Sequence, residues 1–290
     1  MTTPAGEPAA ADHPRLAELL PELDINRPER HRRWTVLLRL LLLIPQFIVV
    51  YALGIAATVI VVIGWFAALF MGRLPTWAFG FLSGYVAYYA RVNAYLYLLT
   101  DTYPPFAWST QDHPARFELP PQDRLNRLAV LFRIILIIPA YIVAVVVIAG
   151  WMMLAFFFWL IVLILGRIPT PIFGASAAVL RYELRYMSYG LLVTAAYPKL
   201  LFGDTSRVAA TTAHTTPTPQ AAPAGAVPQA QDTQGAPERA SDTRPLLLSP
   251  GAKALLVVII VLGVLGAIGG GAAGTAAETA TDGTDTVVIE

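Results

Sequence analysis

The groups able to do chemistry are few in this 290-residue chain, and they do not gather. Cysteine is absent, which excludes disulfides, thiolate metal sites and cysteine nucleophiles. The four histidines, His13, His31, His113 and His214, all fall in polar segments, and none has metal-ligand spacing. Asp112–His113 is an isolated pair in a loop. "GWFAALFMG" is not a dinucleotide fingerprint, no phosphate-binding loop occurs, and no paired carboxylates lie in the apolar runs. These features assign no catalytic residue, no metal and no cofactor, and the protein is expected not to be an enzyme. A net charge of +1 argues against nucleic acid as partner.

What stands out instead is a set of arginines and tyrosines that occurs twice. "GRLPTWAFG" (72–80) returns as "GRIPTPIFG" (166–174), and Arg91 with Tyr95 returns as Arg185 with Tyr189. In each pair the tyrosine follows by four residues, on the same helix face. An arginine and a tyrosine at a membrane surface can hold a phosphate by charge-assisted hydrogen bonds while the ring sits among headgroups. Arg73, Arg167, Arg91, Arg185, Tyr95 and Tyr189 are therefore the candidate lipid-headgroup or interface anchors. Snorkelling without a specific ligand is the plainer alternative.

The elements positioning these residues belong to a duplicated unit. Residues 33–104 align with 127–198 at an offset of 94 without a gap, and a third of the pairs are identical. Each unit opens with a nearly uncharged run, Val36–Met71 and Val130–Leu165. As one helix, such a run would reach about 54 Å against a bilayer core of ~30 Å. The favoured reading is a tight hairpin of two short spans, with turns near Ala52–Ile55 and Val146–Gly150. Its rival is an interfacial helix ending before Pro45 or Pro139, followed by one tilted span. Gly72 and Gly166 suit the left-handed position that ends a helix, and the prolines after them stop it. Thr76 and Thr170 suit the N-cap of the next helix.

The third segments, Thr76–Thr100 and Thr170–Thr194, carry Arg91 and Asn93 in one copy and Arg181, Glu183 and Arg185 in the other. Central arginine costs ~2.5–3.5 kcal/mol on insertion. These segments are expected to lie at the interface, with a half-buried helix against the hairpin as the alternative. The two copies should then share one orientation, about an axis near the membrane normal.

The fold class is thus an all-α integral membrane protein of two tandem repeats, each a transmembrane hairpin plus interfacial helix, followed by one further transmembrane helix. The expected divisions are a polar cytoplasmic segment over 1–32, with a short helix around Leu16–Leu20, repeat 1 over 33–106, a polar loop over 107–126 and repeat 2 over 127–198. A disordered Ala/Thr/Pro-rich linker over 199–253, a transmembrane helix over 254–274 and an acidic external tail over 275–290 complete it. Basic residues flanking the spans put the N-terminus inside and the C-terminus outside, with five spans. The basic residues are nearly all arginine, Lys199 and Lys253 excepted, which with the many alanines suggests a GC-rich bacterial genome.

The motifs "RLLLLIPQFIVV" and "GRLPTWAFGFLSGYVAYYARVNAYLYLLTDTYPPF", echoed by "RIILIIPAYIV" and "GRIPTPIFG", resemble a family of actinobacterial membrane proteins, domain of unknown function 4389. The resemblance covers roughly 33–198. It is looser in the second unit, which lacks Asp101 and the double proline. It implies an inner-membrane location and supplies no activity or catalytic residue.

Three functions remain open from the sequence. The first is a non-enzymatic membrane protein that binds lipids, or a membrane or cytoplasmic protein partner. The second is a small transporter or channel with its path between the repeats, although the first runs offer only Gln46 and Thr58, and the second little beyond Tyr141. The third is a membrane enzyme using the interfacial face.

Overall fold

The computed structural model describes residues 20–108, 113–122, 124–203, 243 and 246–282, with side chains to 269 in the last stretch. The expected helix around Leu16–Leu20, most of the linker and the end of the acidic tail lie outside the described residues. The elements are β1 (Glu22–Ile25), α1 (Arg33–Met71), α2 (Thr76–Leu96), β2 (Ala115–Glu118), α3 (Arg127–Leu131), α4 (Arg133–Leu165), α5 (Thr170–Gly190) and α6 (Pro250–Asp282).

The first apolar run of each repeat is one helix, not a hairpin. α1 holds 39 residues and passes through Pro45, and α4 holds 33 and passes through Pro139. The glycines read as turn signals serve as places of close approach. Gly54 faces the Tyr85 hydroxyl, and a Cβ at Gly150 would collide with the backbone of α6 at Ile259. Both runs consist of helix-compatible apolar residues with no consecutive turn formers, so nothing forces the chain to reverse. Among the described residues three helices are long and apolar enough to cross a membrane, α1, α4 and the first 20 residues of α6, where five spans were expected.

The helix stops follow the sequence closely. Gly72 and Gly166 take φ of 69° and 65°, and their amides bond to the Ala68 and Val162 carbonyls at 2.8 Å. Only glycine adopts this conformation at no steric cost. Thr76 and Thr170 are not N-caps. They are the first helical residues, and Pro75 and Pro169 occupy the cap position without a side-chain bond.

α2 and α5 form the centre. Of 21 residues each, 11 are buried in α2 and 15 in α5, against 7 of 39 in α1. Both helices are packed against the rest of the protein, as in the alternative of a helix packed on the first run. Small residues let these helices sit inside: Ala90 and Ala94 in α2, and Ala175, Ala177 and Ala178 in α5, are almost wholly covered. α1 contributes a narrow inward stripe, Val36, Arg39, Leu43, Gln46, Ala57, Gly64 and Ala68, and exposes Leu40, Ile48, Ile55, Phe66 and Phe70 on its other faces. The hydrophobic burial concentrates at α2 and α5, and the long helices keep an apolar exterior.

The repeats are inverted. The Trp65 indole donates to the Val130 carbonyl at 2.9 Å, and the equivalent Trp159 donates to the equivalent Val36 carbonyl at 2.7 Å. The Leu125 amide bonds Gly72 O, and the His31 amide bonds Gly166 O, both at 2.8 Å. The end of each long helix therefore meets the start of the other, so α1 and α4 are antiparallel and Arg73 and Arg167 lie at opposite ends. The expected shared orientation is wrong because it counted two spans per unit, whereas each unit has one long helix.

The expected polar N-terminal segment, the expected polar loop and part of the expected disordered linker join the fold. β1, from the N-terminal segment, pairs antiparallel with β2, from the 107–126 loop, in the register Glu22 to Glu118 and Ile25 to Ala115. Leu23, Ile25 and Ala115 pack into the same core as Val86 and Ala90 of α2. Thr243, at the end of the linker region, clasps β1, accepting from the Ile25 amide and donating to Leu23 O, both at 2.7 Å. Leu246 and Leu248 are buried before α6, which starts earlier than expected, beside Pro171.

Candidate functional site

Equivalent positions in the two repeats build two related polar clusters, each under the first turns of a long helix. In repeat 1, Arg39 reaches inward from α1. Its guanidinium lies over the Tyr95 ring, 4.1 Å from the centroid, and one terminal nitrogen donates to the Tyr95 carbonyl. The other meets Asp101 Oδ1 at 3.2 Å. Asp101 also accepts from the Thr35 hydroxyl at 2.8 Å and the Arg32 amide at 3.1 Å, and the His31 ring nitrogen stands 3.6 Å away. Burial pushes the Asp101 carboxyl up, but the His31, Arg32 and Thr35 groups facing it outweigh that and hold it below the usual carboxylate range.

In repeat 2, Arg133 of α4 lies over Tyr189 at 3.9 Å and donates to the Thr194 carbonyl. The positions matching His31, Arg32, Thr35 and Asp101 hold Leu125, Asn126, Ala129 and Ala195. Among the described residues no carboxylate pairs with Arg133, although it is 5% exposed. The same stacking is kept, and the counter-charge is gone.

A third feature lies where the repeats meet. Tyr89 and Glu183 are equivalent positions, and they touch: the Tyr89 hydroxyl donates to Glu183 Oε1 at 2.5 Å, and Tyr97 donates to Oε2 at 3.0 Å. Tyr97 in turn stacks on Trp151, with ring centroids 3.9 Å apart. Contact between equivalent residues places the pseudo-twofold axis near this carboxylate. Two hydroxyl donors satisfy a buried acid that would otherwise be costly.

The expected anchors separate into three groups. Arg73 and Arg167 are exposed at the ends of α1 and α4. Arg91 and Arg185 are buried and point at loop backbone. Arg91 donates to Ala107 O at 2.6 Å, and Arg185 to Pro21 O at 3.0 Å and Lys199 O at 3.1 Å. They tie connecting segments to the core. Tyr95 and Tyr189 pair with Arg39 and Arg133 of the neighbouring long helix, rather than with the arginine four residues before them. Both of these arginines are identical between the repeats; that retention was visible in sequence, but their inward direction was not.

His113 is buried beside its own strand, its Nδ1 3.1 Å from both the amide and the carbonyl of Ala115. Burial holds its pKa below the usual histidine value. Among the described residues no three His, Asp or Glu side chains group as a metal site.

Comparison with known proteins agrees with this duplication. The family described as Domain of unknown function (DUF4389) matches twice, over residues 33–107 and 127–201, and the chain belongs to that family. No curated protein and no solved structure matches the chain.

Proposed function

We propose that this is a non-enzymatic integral membrane protein that holds anionic lipid headgroups at the ends of its long helices and serves as a scaffold for a membrane or cytoplasmic protein partner. The observation that carries it is the apolar exterior of α1, α4 and α6 combined with exposed arginines at the helix ends. A soluble protein rarely exposes so much contiguous apolar surface, and lipid covers it without cost. At ~1.5 Å per residue α1 exceeds a ~30 Å core, and tilt with protruding end turns takes up the surplus. Arg73 and Arg167 follow the last turns, where a guanidinium meets phosphates while its stem stays in the apolar zone.

The arrangement that fits is three spans in the plasma membrane of a bacterium. The N-terminus is cytoplasmic, α1 leads out, α4 returns, α6 leads out again and the C-terminus is external. Arg27, Arg30, Arg32, Arg33, Arg167 and Lys253 then lie on the inner side, against Arg73, Arg124 and Arg127 outside, which preserves the positive-inside bias. The test is purification of the full chain in mild detergent, with quantitation of the phospholipid retained. Anionic phospholipid should be enriched over the membrane average, and Arg73→Ala with Arg167→Ala should lower it about twofold. Retained lipid that mirrors the membrane's composition, or none, would reject the reading.

A second reading, a small transporter or channel with its path between the repeats, is favoured by one observation. Glu183 is a buried carboxylate at the repeat junction, the kind of intramembrane ionisable group that marks ion pathways. Solute or proton flux in proteoliposomes that Glu183→Gln abolishes would support it over the scaffold.

A further inference from the structure

Repeat 2 has lost its internal counter-charge and gained an open space at the same place. A groove of about 390 Å³ lies between α1 and α4 and is lined by Val62, Phe66, Ile134, Ile137, Gly190 and Arg133, among others. Arg133 is its one charged lining residue. The Arg133 Nε has no hydrogen-bond partner, and only one of its terminal nitrogens finds an acceptor among the described residues. A buried guanidinium without an anion is strongly disfavoured. Repeat 1 solves this with Asp101, whereas repeat 2 has Ala195, which is exposed.

Two of the positions that line the groove carry larger side chains in the corresponding places of the other copy. Gly190 corresponds to Leu96, and Val62 corresponds to Phe156. A side chain at Gly190 would enter the space beside Ile137, whose Cδ1 lies 2.9 Å from the site of a Cβ. One repeat therefore pairs its arginine with a carboxylate, and the other has an arginine without one beside an open groove.

We propose that the groove of repeat 2 binds one anionic phospholipid, its phosphate on Arg133 and an acyl chain along Val62, Phe66, Ile134 and Ile137. This rests on the membrane reading above and names the site. Three features favour a phospholipid over a free ion. The groove is almost wholly apolar apart from the arginine. It opens beside Val62, Phe66 and Ile134, which are exposed on the outer faces of α1 and α4. Arg133 stands near the start of α4, close to the level where that helix meets the end of α1, which is where a headgroup belongs. The Nε is enclosed, so the terminal nitrogen that Thr194 does not engage is the donor left for a phosphate.

The test converts repeat 2 to the residues repeat 1 already carries. The delipidated full chain is titrated with phosphatidylglycerol or phosphatidylcholine in mixed micelles, and bound lipid is counted by native mass spectrometry, with inorganic phosphate as competitor. The wild type should bind one phosphatidylglycerol saturably and phosphatidylcholine at least fivefold more weakly, with no displacement by phosphate. Ala195→Asp, which supplies the missing carboxylate, and Gly190→Leu, which fills the groove, should each lower phosphatidylglycerol occupancy at least fivefold while Arg133 is kept. Each variant is checked for folding by gel filtration. If one fails to fold the other decides, and if both fail the headgroup preference decides. Equal binding of the two lipids, undiminished binding in a folded variant, or full displacement by phosphate would overturn the proposal. Wild-type binding that ignores both substitutions defeats the groove alone, whereas absence of any bound lipid defeats the membrane-lipid reading as well.

Discussion

Repeat 1 and repeat 2 use the same scaffold and finish it differently. Both hold an arginine over a tyrosine, end the long helix on a left-handed glycine and send a tryptophan to the other copy's backbone. Repeat 1 then pairs its arginine with Asp101, has Leu96 where repeat 2 has Gly190, and packs the β1–β2 ribbon over α2. Repeat 2 leaves Arg133 without a carboxylate, keeps a groove beside Gly190, and receives α6 across Gly150. The shared tryptophans bond to the partner repeat and the shared glycines end a helix at the junction, whereas the arginine–tyrosine stacks lie within each repeat. Among the parts that differ, Asp101 bonds within its own repeat and Gly150 meets α6, while Tyr89 and Glu183 differ and bond across the junction.

The sharpest way to break this comparison is to remove the carboxylate of repeat 1. Asp101→Ala strands the buried Arg39 and should cost about 3 kcal/mol, the low end for breaking a buried pair because the carboxylate is partly exposed. The reverse change, Ala195→Asp, should leave the melting temperature in detergent unchanged or raised. Equal destabilisation by the two would show that the clusters are not counterparts. Next in size is Gly150→Ala, which places in α4 the residue that repeat 1 has at Ala56. Because α6 lies against Gly150, overpacking of about 1–3 kcal/mol is expected. Proteolytic release or loosening of α6 would report it.

A smaller effect tests the symmetry itself. Trp65→Phe and Trp159→Phe each remove one donor to a backbone carbonyl, and each should cost about 1 kcal/mol. A marked inequality in thermal unfolding would mean that the two ends of the inverted pair are not equivalent. The smallest effect concerns pH. Asp101 is held below the usual carboxylate range in the folded protein, so its contribution is complete above the unfolded value. That contribution is lost as pH falls through the folded value. Unfolding followed from pH 7 downward should show this acid loss in the wild type and a reduced loss in Asp101→Asn.

Much of this was legible in the chain. The duplication, its offset, the helix stops at Gly72 and Gly166 and the apolar class follow from spacing and backbone chemistry, which act locally. Direction was not legible. A run such as Val36–Met71 is apolar on every face, so its periodicity does not reveal which stripe faces inward. Gly54 and Gly150 give the same local signal as turns or as packing sites. The charges of α2 and α5 resemble those of an interfacial helix until their partners, Glu183 with two tyrosines and Arg91 and Arg185 with loop carbonyls, are seen across distances no local pattern encodes. Arg133 shows the same limit: its missing partner appears only when Asp101 is placed beside Arg39 in space and Ala195 is then compared with it.

The central claim is that the two repeats stand in opposite orientations across one membrane. The native chain has no cysteine, so Arg73→Cys and Arg167→Cys can be read singly with a membrane-impermeant thiol reagent on intact cells. Both positions are exposed in the fold. The account predicts that Arg73→Cys labels from outside and that Arg167→Cys labels only after permeabilisation. Equal labelling of the two positions from one side would contradict it.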